Sequence, residues 1–253
     1  HAVLRTVYEP SGDGTPHQRI LPASPVAIAR IDLSGMPDSD RDASLEALMR
    51  DEAVAVFDLS ADLMLRCSLV TLAAERHVLL FTMHHIASDG WSMGVLVREF
   101  MALYAAGMTG DEDAMSTCLP PLPIQYADYA VWQRDRLQGE TLQAQLSYWR
   151  RRLSDAPTVH GLPLDRPRPA RQEYAAKSVA GVLPKPLVDA CRAFADARST
   201  TLFMVLEAAF AALLSRWSGQ SDIVVATPVA ARTRRDVEPL IGFFVNTLAL
   251  RTD

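Results

Sequence analysis

The chain has 253 residues, 49% of them hydrophobic and 22% charged, with a formal net charge of -5. That balance supports a sizeable buried core and excludes an intrinsically disordered chain. The mildly acidic charge, with no Lys/Arg cluster beside an apolar helix, argues against nucleic acid or a membrane surface as a partner.

Residues 2–8 read as a strand. Residues 63–72 and 77–85, rich in Leu, Val and Phe, flank the short turn Ala73-Ala74-Glu75-Arg76 and predict a hairpin. Its second strand, around Val78-Leu79-Leu80-Phe81-Thr82-Met83, is apolar on both faces, which predicts a central place in its sheet. A helix over 91–106 follows Gly90, with Ser88 or Asp89 placed to cap it. An acidic loop over 110–113 leads to Pro120, Pro121 and Pro123, and helical stretches follow over 124–138 and 140–153. Pro157, Pro163, Pro167 and Pro169 mark 156–171 as a semi-rigid connector between a first lobe, 1–155, and a second, 172–253. In the second lobe a strand is expected near 177–183. A helix from Pro186 to Arg198 carries Leu187, Cys191, Phe194 and Ala195 on one face. The next helix, capped by Thr200 or Thr201, is apolar nearly all round to Trp217 and stops at Gly219, which predicts burial on most sides. Residues 222–226 and 243–250 read as core strands. Strands alternating with helices predict an α/β (α+β) fold with mixed sheets.

Cys67, Cys118 and Cys191 are odd in number and widely spaced, which fits incidental thiols in a reducing compartment better than disulfides. No segment reads as a signal peptide. The longest apolar run, 202–214, is broken by Glu207 and is shorter than the ~20 residues of a membrane span. The expectation is a soluble, cytoplasmic protein.

Chemistry concentrates at His84-His85-Ile86-Ala87-Ser88-Asp89-Gly90. Neighbouring strand residues point to opposite faces, so one histidine faces a substrate and the other packs internally. His85 is the better candidate for the first role and His84 for the structural one, because Asp89 and Gly90 follow in a turn that opens a helix. A helix N-terminus offers free N–H groups to negative charge, and a base beside such donors suits acyl transfer. Metal binding is not expected, since His1, His17, His77 and His160 stand at no ligand spacing with this pair. A Ser nucleophile is disfavoured by the absence of any G-x-S-x-G elbow, and Cys67 lies mid-strand with no helix start after it.

The segment from Met83 to Ser92 resembles the HHxxxDG signature of condensation domains from nonribosomal peptide synthetases. Three further stretches are similar to family segments in the same order. They are His1-Ala2-Val3-Leu4-Arg5-Thr6 (RHExLRT, without its first Arg), Tyr126-Ala127-Asp128-Tyr129-Ala130-Val131-Trp132 (YxDYAVW) and Ile241-Gly242-Phe243-Phe244-Val245-Asn246-Thr247 (IGxFVNT). The resemblance covers the whole chain. It implies a central piece of a longer domain, with the family's opening motif before residue 1 and its closing motifs after Asp253.

That resemblance implies two chloramphenicol-acetyltransferase-like lobes forming a V around a tunnel, both incomplete here. It implies carrier proteins upstream and downstream, a neighbouring adenylation domain, and substrates delivered on phosphopantetheine arms, with no cofactor bound by the domain itself. The expected reaction is attack of an acceptor aminoacyl amine on a donor thioester. His85 then positions the amine and takes its proton, and the Gly90 N–H is a candidate oxyanion donor. The tyrosines and Trp132 of the second segment stand at helical spacing and read as core. Asn246 is a candidate tunnel group. Asp89 is expected in a structural ion pair with Arg232, in a segment Thr227-Pro228-Val229-Ala230-Ala231-Arg232 that resembles the family's TPxANR with Ala231 in place of Asn. Arg234 and Arg166 stand behind Arg232 as partners. Residues 88–96 look most like the subtype that joins L-configured donors to L-acceptors. The alternatives are an epimerisation domain, another thioester acyltransferase of the same fold, or a non-catalytic domain that recruits partners.

Overall fold

The computed structural model describes residues 1–171 and 176–253. A 3-10 turn over Ala2–Arg5 precedes strands β1 (Thr6–Pro10), β2 (Pro16–Ile20) and β3 (Ile28–Asp32). Helix α1 (Asp38–Val54), strands β4 (Leu65–Ala73) and β5 (Arg76–Met83), and helices α2 (Gly90–Met108), α3 (Glu112–Thr117), α4 (Tyr126–Arg136) and α5 (Gly139–Arg152) follow. Then come α6 (Lys185–Ala197), α7 (Leu202–Ser218), β6 (Ile223–Val229), a 3-10 turn at Arg235–Val237 and β7 (Asn246–Thr252).

Contacts gather these elements into two compact units. The first holds His1–Gly139 and Ala230–Asn246; the second holds Glu140–Val229 and Thr247–Asp253. These boundaries differ from the lobes drawn at 1–155 and 172–253. Residues 230–246 pack with the first unit, and most of α5 belongs to the second.

In the first unit, β3, β4 and β5 form one sheet in that order. β3 runs parallel to β4, and β4 pairs antiparallel with β5, Leu65 opposite Met83 and Val70 opposite Val78. The hairpin stands where its sequence places it, but β5 is an edge strand rather than a central one. Its apolar character has another cause: helices cover both faces. Val78 and Leu80 join Leu45 and Leu48 of α1 around buried Leu33, Val70 and Leu72. Phe81, on the alternate face, meets the Phe100 ring of α2 edge-on at 5.4 Å. A second cluster, of Val3, Met64, Ala87, Val95 and Ile241, lies under the turn that joins β5 to α2. A third, of Tyr129, Val237, Leu240 and Phe244, binds α4 to the 237–244 segment and takes Tyr126 and Trp132 at its margin.

In the second unit, β6 pairs with β7, and the Arg251 guanidinium grips the Asp222 carboxylate at 2.6 Å. Arg251 also donates to the carbonyls of Arg152 and Ser154, tying the end of α5 to this sheet.

Several local expectations are corrected. Residues 2–5 wind into a turn because the Thr6 hydroxyl donates back to the Ala2 carbonyl at 2.9 Å; the strand starts only at Thr6. The acidic loop at 110–113 opens a short helix, since the Asp111 side chain accepts from the Asp113 and Ala114 amides. Residues 177–183 form no strand among the described residues, and Val179 and Val182 are almost fully exposed. Helix α7 starts at its Thr201 cap and ends at Gly219, whose φ of 70° only glycine adopts freely. Yet it is not enclosed: Ala211 is its one buried residue among those described, and Phe203, Phe210 and Trp217 are exposed. On α6, Ala195 is buried while Leu187 and Phe194 stay exposed. Residues 243–245 precede β7 rather than belong to it.

Candidate active site

β5 ends at Met83, so His84 and His85 lie on the turn beyond the strand. Backbone bonds from Ala87 N–H to the His84 carbonyl (3.0 Å) and from Ser88 N–H to the His85 carbonyl (3.4 Å) close that turn. It delivers Asp89 as the N-cap of α2, where Oδ1 accepts the Ser92 amide at 2.8 Å.

The two histidines make different hydrogen bonds. His85 Nδ1 lies 2.8 Å from the Ser88 carbonyl, which can only accept, so Nδ1 carries the proton. In the neutral ring that leaves Nε2 as an open acceptor, and the side chain is exposed. His84 Nδ1 instead lies 3.0 Å from the Ile86 amide and accepts from it, so its neutral tautomer is the opposite one. The His84 ring meets Phe57 edge-on at 5.6 Å. Gly90, exposed and first in α2, contributes an N–H with no place in the helix ladder.

Asp89 is 4% exposed and both its oxygens are in use. Oδ1 accepts from the Ser92 amide, the Ser92 hydroxyl at 2.7 Å and Arg232 Nη2 at 3.1 Å; Oδ2 accepts from the Phe244 amide at 3.0 Å. Burial pushes its pKa up, but the Ser92 and Phe244 bonds and the Arg232 charge together outweigh it. The carboxyl is held below its ordinary value. Arg232 Nη1 donates to the Val237 and Leu240 carbonyls at 2.6 and 2.8 Å, and its guanidinium lies 4.0 Å over the Phe244 ring. Burial draws the guanidinium down from its ordinary value while Asp89 draws it back, and from so high a starting point it stays charged. Arg234 pairs with Asp236 instead, at 2.5 Å, and Arg166 is exposed in the connector. Asn246 opens β7 and is exposed.

A cavity of about 640 Å³ borders His85, Ser88, Asp89 and Gly90; Phe81, Met83 and Met93 are among its apolar walls. Neighbouring tyrosines are neutral donors. Burial, then Tyr126, raises the Tyr8 pKa to about 12, and its hydroxyl donates to the Ile86 carbonyl at 3.3 Å. Burial, then the Tyr129 and Asp89 charges, raises that of Tyr126, whose hydroxyl donates to the Phe243 carbonyl at 2.9 Å.

Sequence reasoning assigned no role to Ser92, which is the centre of this network. Its hydroxyl meets Asp89, Arg232, and both the carbonyl (2.9 Å) and the amide (3.0 Å) of Gly242. Its place three residues after the cap was a usable signal, because an N3 side chain reaches back to the cap. The partners 140 and more residues away carry no such local mark. Among the described residues no group of three or more His, Cys, Asp or Glu is placed to hold a metal ion, and no single helix is long and apolar enough to cross a membrane.

The chain is 46% identical over 253 residues to a linear gramicidin synthase of Brevibacillus parabrevis, matching all of this chain and 5% of that protein. It is 45% identical over 251 residues to the phosphinothricin tripeptide synthetase PhsC of Streptomyces viridochromogenes, matching 99% of this chain and 23% of that one. It therefore spans a small part of each relative's length. Among solved structures it is similar to a complex of the X-domain and OxyB from teicoplanin biosynthesis. That match has a TM-score of 0.85 and 32% identity, covering 100% of this chain and 54% of that one. The condensation-domain family model matches residues 1–253, and the chain belongs to the condensation domains of the nonribosomal peptide synthetase family.

Proposed function

We propose that the domain forms an amide bond between a donor aminoacyl or peptidyl thioester and an acceptor aminoacyl amine. Both substrates arrive on phosphopantetheine arms of carrier proteins, beside an adenylation domain of the same synthetase, in the cytoplasm. The observation that carries this reading is the 2.8 Å approach of His85 Nδ1 to the Ser88 carbonyl: a proton on Nδ1 leaves Nε2 as the acceptor, close in the chain to the unladdered Gly90 N–H.

A free α-amine has a pKa of ~8, so part of it is already neutral near pH 7. Deprotonating it before attack is a modest demand. Holding amine and thioester together supplies ~7–11 kcal/mol of the barrier, against ~3–5 for general base catalysis. His85 therefore acts first as a positioning group. The amine nitrogen bonds to the thioester carbonyl carbon, and the Gly90 N–H faces the oxygen as it becomes negative. His85 Nε2 takes a proton from the nitrogen, the C–S bond breaks, and the proton passes to the departing sulfur. His84 and the Asp89–Arg232 pair shape the turn and take no part in the transfer.

The test is dipeptide formation between two loaded carrier proteins by the complete condensation domain. His85→Ala should lose most product while keeping its circular dichroism and Tm. Near-normal turnover in the folded variant overturns the assignment. One observation favours a second reading, recruitment without catalysis: the similar X-domain was solved in complex with OxyB. Under that reading His85→Ala changes nothing, and the wild type yields no dipeptide.

A further inference from the structure

Phe243 is 40% exposed between two of the most buried residues of its segment, Gly242 and Phe244 at 4%. The backbone on both sides of it is pinned. The Gly242 amide donates to the Ser92 hydroxyl (3.0 Å), the Phe243 carbonyl accepts from Tyr126 (2.9 Å), and the Phe244 amide donates to Asp89 (3.0 Å). From this anchorage its ring meets the His85 imidazole edge-on, with centroids 5.5 Å apart and planes at 76°. That geometry is a favoured one for a pair of flat rings. Among the described residues the His85 ring has a single hydrogen bond, Nδ1 to the Ser88 carbonyl. An exposed imidazole with one tether has a broad, roughly two-fold χ2 torsion, and a half-turn puts Cδ2 where Nδ1 stood and Cε1 where Nε2 stood, which breaks the bond to Ser88 and takes Nε2 from its place.

We propose that Phe243 is a positioning residue: its ring closes the alternative orientations of His85 and keeps Nε2 facing the substrate. The inference rests on the reading of His85 as positioning group and proton acceptor. The Asp89–Arg232–Ser92 network then acts on the reaction at one remove, by fixing the segment that presents Phe243.

The experiment pairs turnover with ¹⁵N NMR of the His85 ring in the complete condensation domain. Phe243→Ala should lower kcat on the order of tenfold to a hundredfold, with KM for both loaded carrier proteins unchanged. The His85 nitrogen signals should move from the Nδ1–H tautomer toward a mixture. Phe243→Tyr or Phe243→Trp should restore both readouts, and Phe243→Leu, apolar but without a ring, should restore neither fully. Unchanged kcat and tautomer in folded Phe243→Ala overturn the proposal, as does a rise in KM with the tautomer intact. A tautomer shift together with full turnover by His85→Ala leaves the positioning contact standing and overturns the reaction assigned to His85.

Discussion

The carboxylate of Asp89 holds four hydrogen bonds in a nearly buried site, and its charge is answered by a guanidinium that is itself 1% exposed. Removing one partner of such a pair leaves the other charge buried alone, at a cost of ~3–5 kcal/mol. Asp89→Ala should therefore lower stability by that order in chemical denaturation, and a folded but inactive variant at wild-type stability would argue for a direct chemical role instead. The pH dependence follows from the depressed carboxyl. Its ionised form stabilises the fold above the unfolded value near ~3.9, and that contribution is lost as pH falls through the lower folded value. In Arg232→Leu the depression is lessened, so the acid-dependent part of the fall in stability should be smaller than in the wild type. A second residue-scale prediction concerns Ala231, whose φ of 50° lies in the left-handed region. A Cβ there costs ~1–2 kcal/mol, and Asn tolerates the conformation better. Ala231→Asn should raise the denaturation midpoint by the equivalent of about 0.5–1 kcal/mol. The departure from TPxANR was legible in the sequence; its cost was not, because dihedral angles come from the fold.

At the scale of elements, a close approach explains why residue 242 is a glycine. A Cβ built there would stand 2.4 Å from Tyr126 Cδ2 and 2.8 Å from Phe244 Cε2. Both are rings packed in a core, so neither gives way cheaply. Gly242→Ala should destabilise by ~1–3 kcal/mol, and it should displace the segment from Ser92, which hydrogen exchange at the Phe244 amide would report. The elements most readable in the sequence are those whose signals are local: the β4–β5 hairpin around its short turn, and α2 with its Asp89 cap. Helix α1 and strands β2 and β3 gave little signal. No residue of α1 is buried, and its few apolar side chains are scattered among charged ones. The edge position of β5 was hidden for a different reason. Apolar side chains on both faces record coverage by α1 and α2, not hydrogen bonding on both edges. At the site, the cap was local and readable, while the hold of Ser92 on Gly242 spans 150 residues and had to be seen.

For the whole molecule, the sequence expectation that α7 lies in a core meets a surface that is open. Phe203, Met204, Leu206, Phe210, Leu213 and Trp217 are all more than 40% exposed, and α6 adds Leu187 and Phe194 at about half. A soluble monomer rarely shows a contiguous apolar patch beyond a few hundred Å², and larger patches mark surfaces that associate. Among the described residues β5 pairs with a strand on one side only, and such an edge has the same tendency. The 253-residue chain produced by itself should therefore self-associate as concentration rises. Sedimentation velocity should show species beyond the monomer, and a dye that fluoresces on apolar surface should bind without denaturant. Phe203→Ser, Phe210→Ser and Trp217→Ser together should shift the distribution back toward monomer, whereas Thr141→Ser, Gln143→Ser and Gln145→Ser at exposed positions of α5 should not. A monodisperse monomer that binds no dye, unfolds cooperatively and forms dipeptide would contradict this expectation. It would show that the open face of α7 is tolerated in water and that these residues suffice for the reaction.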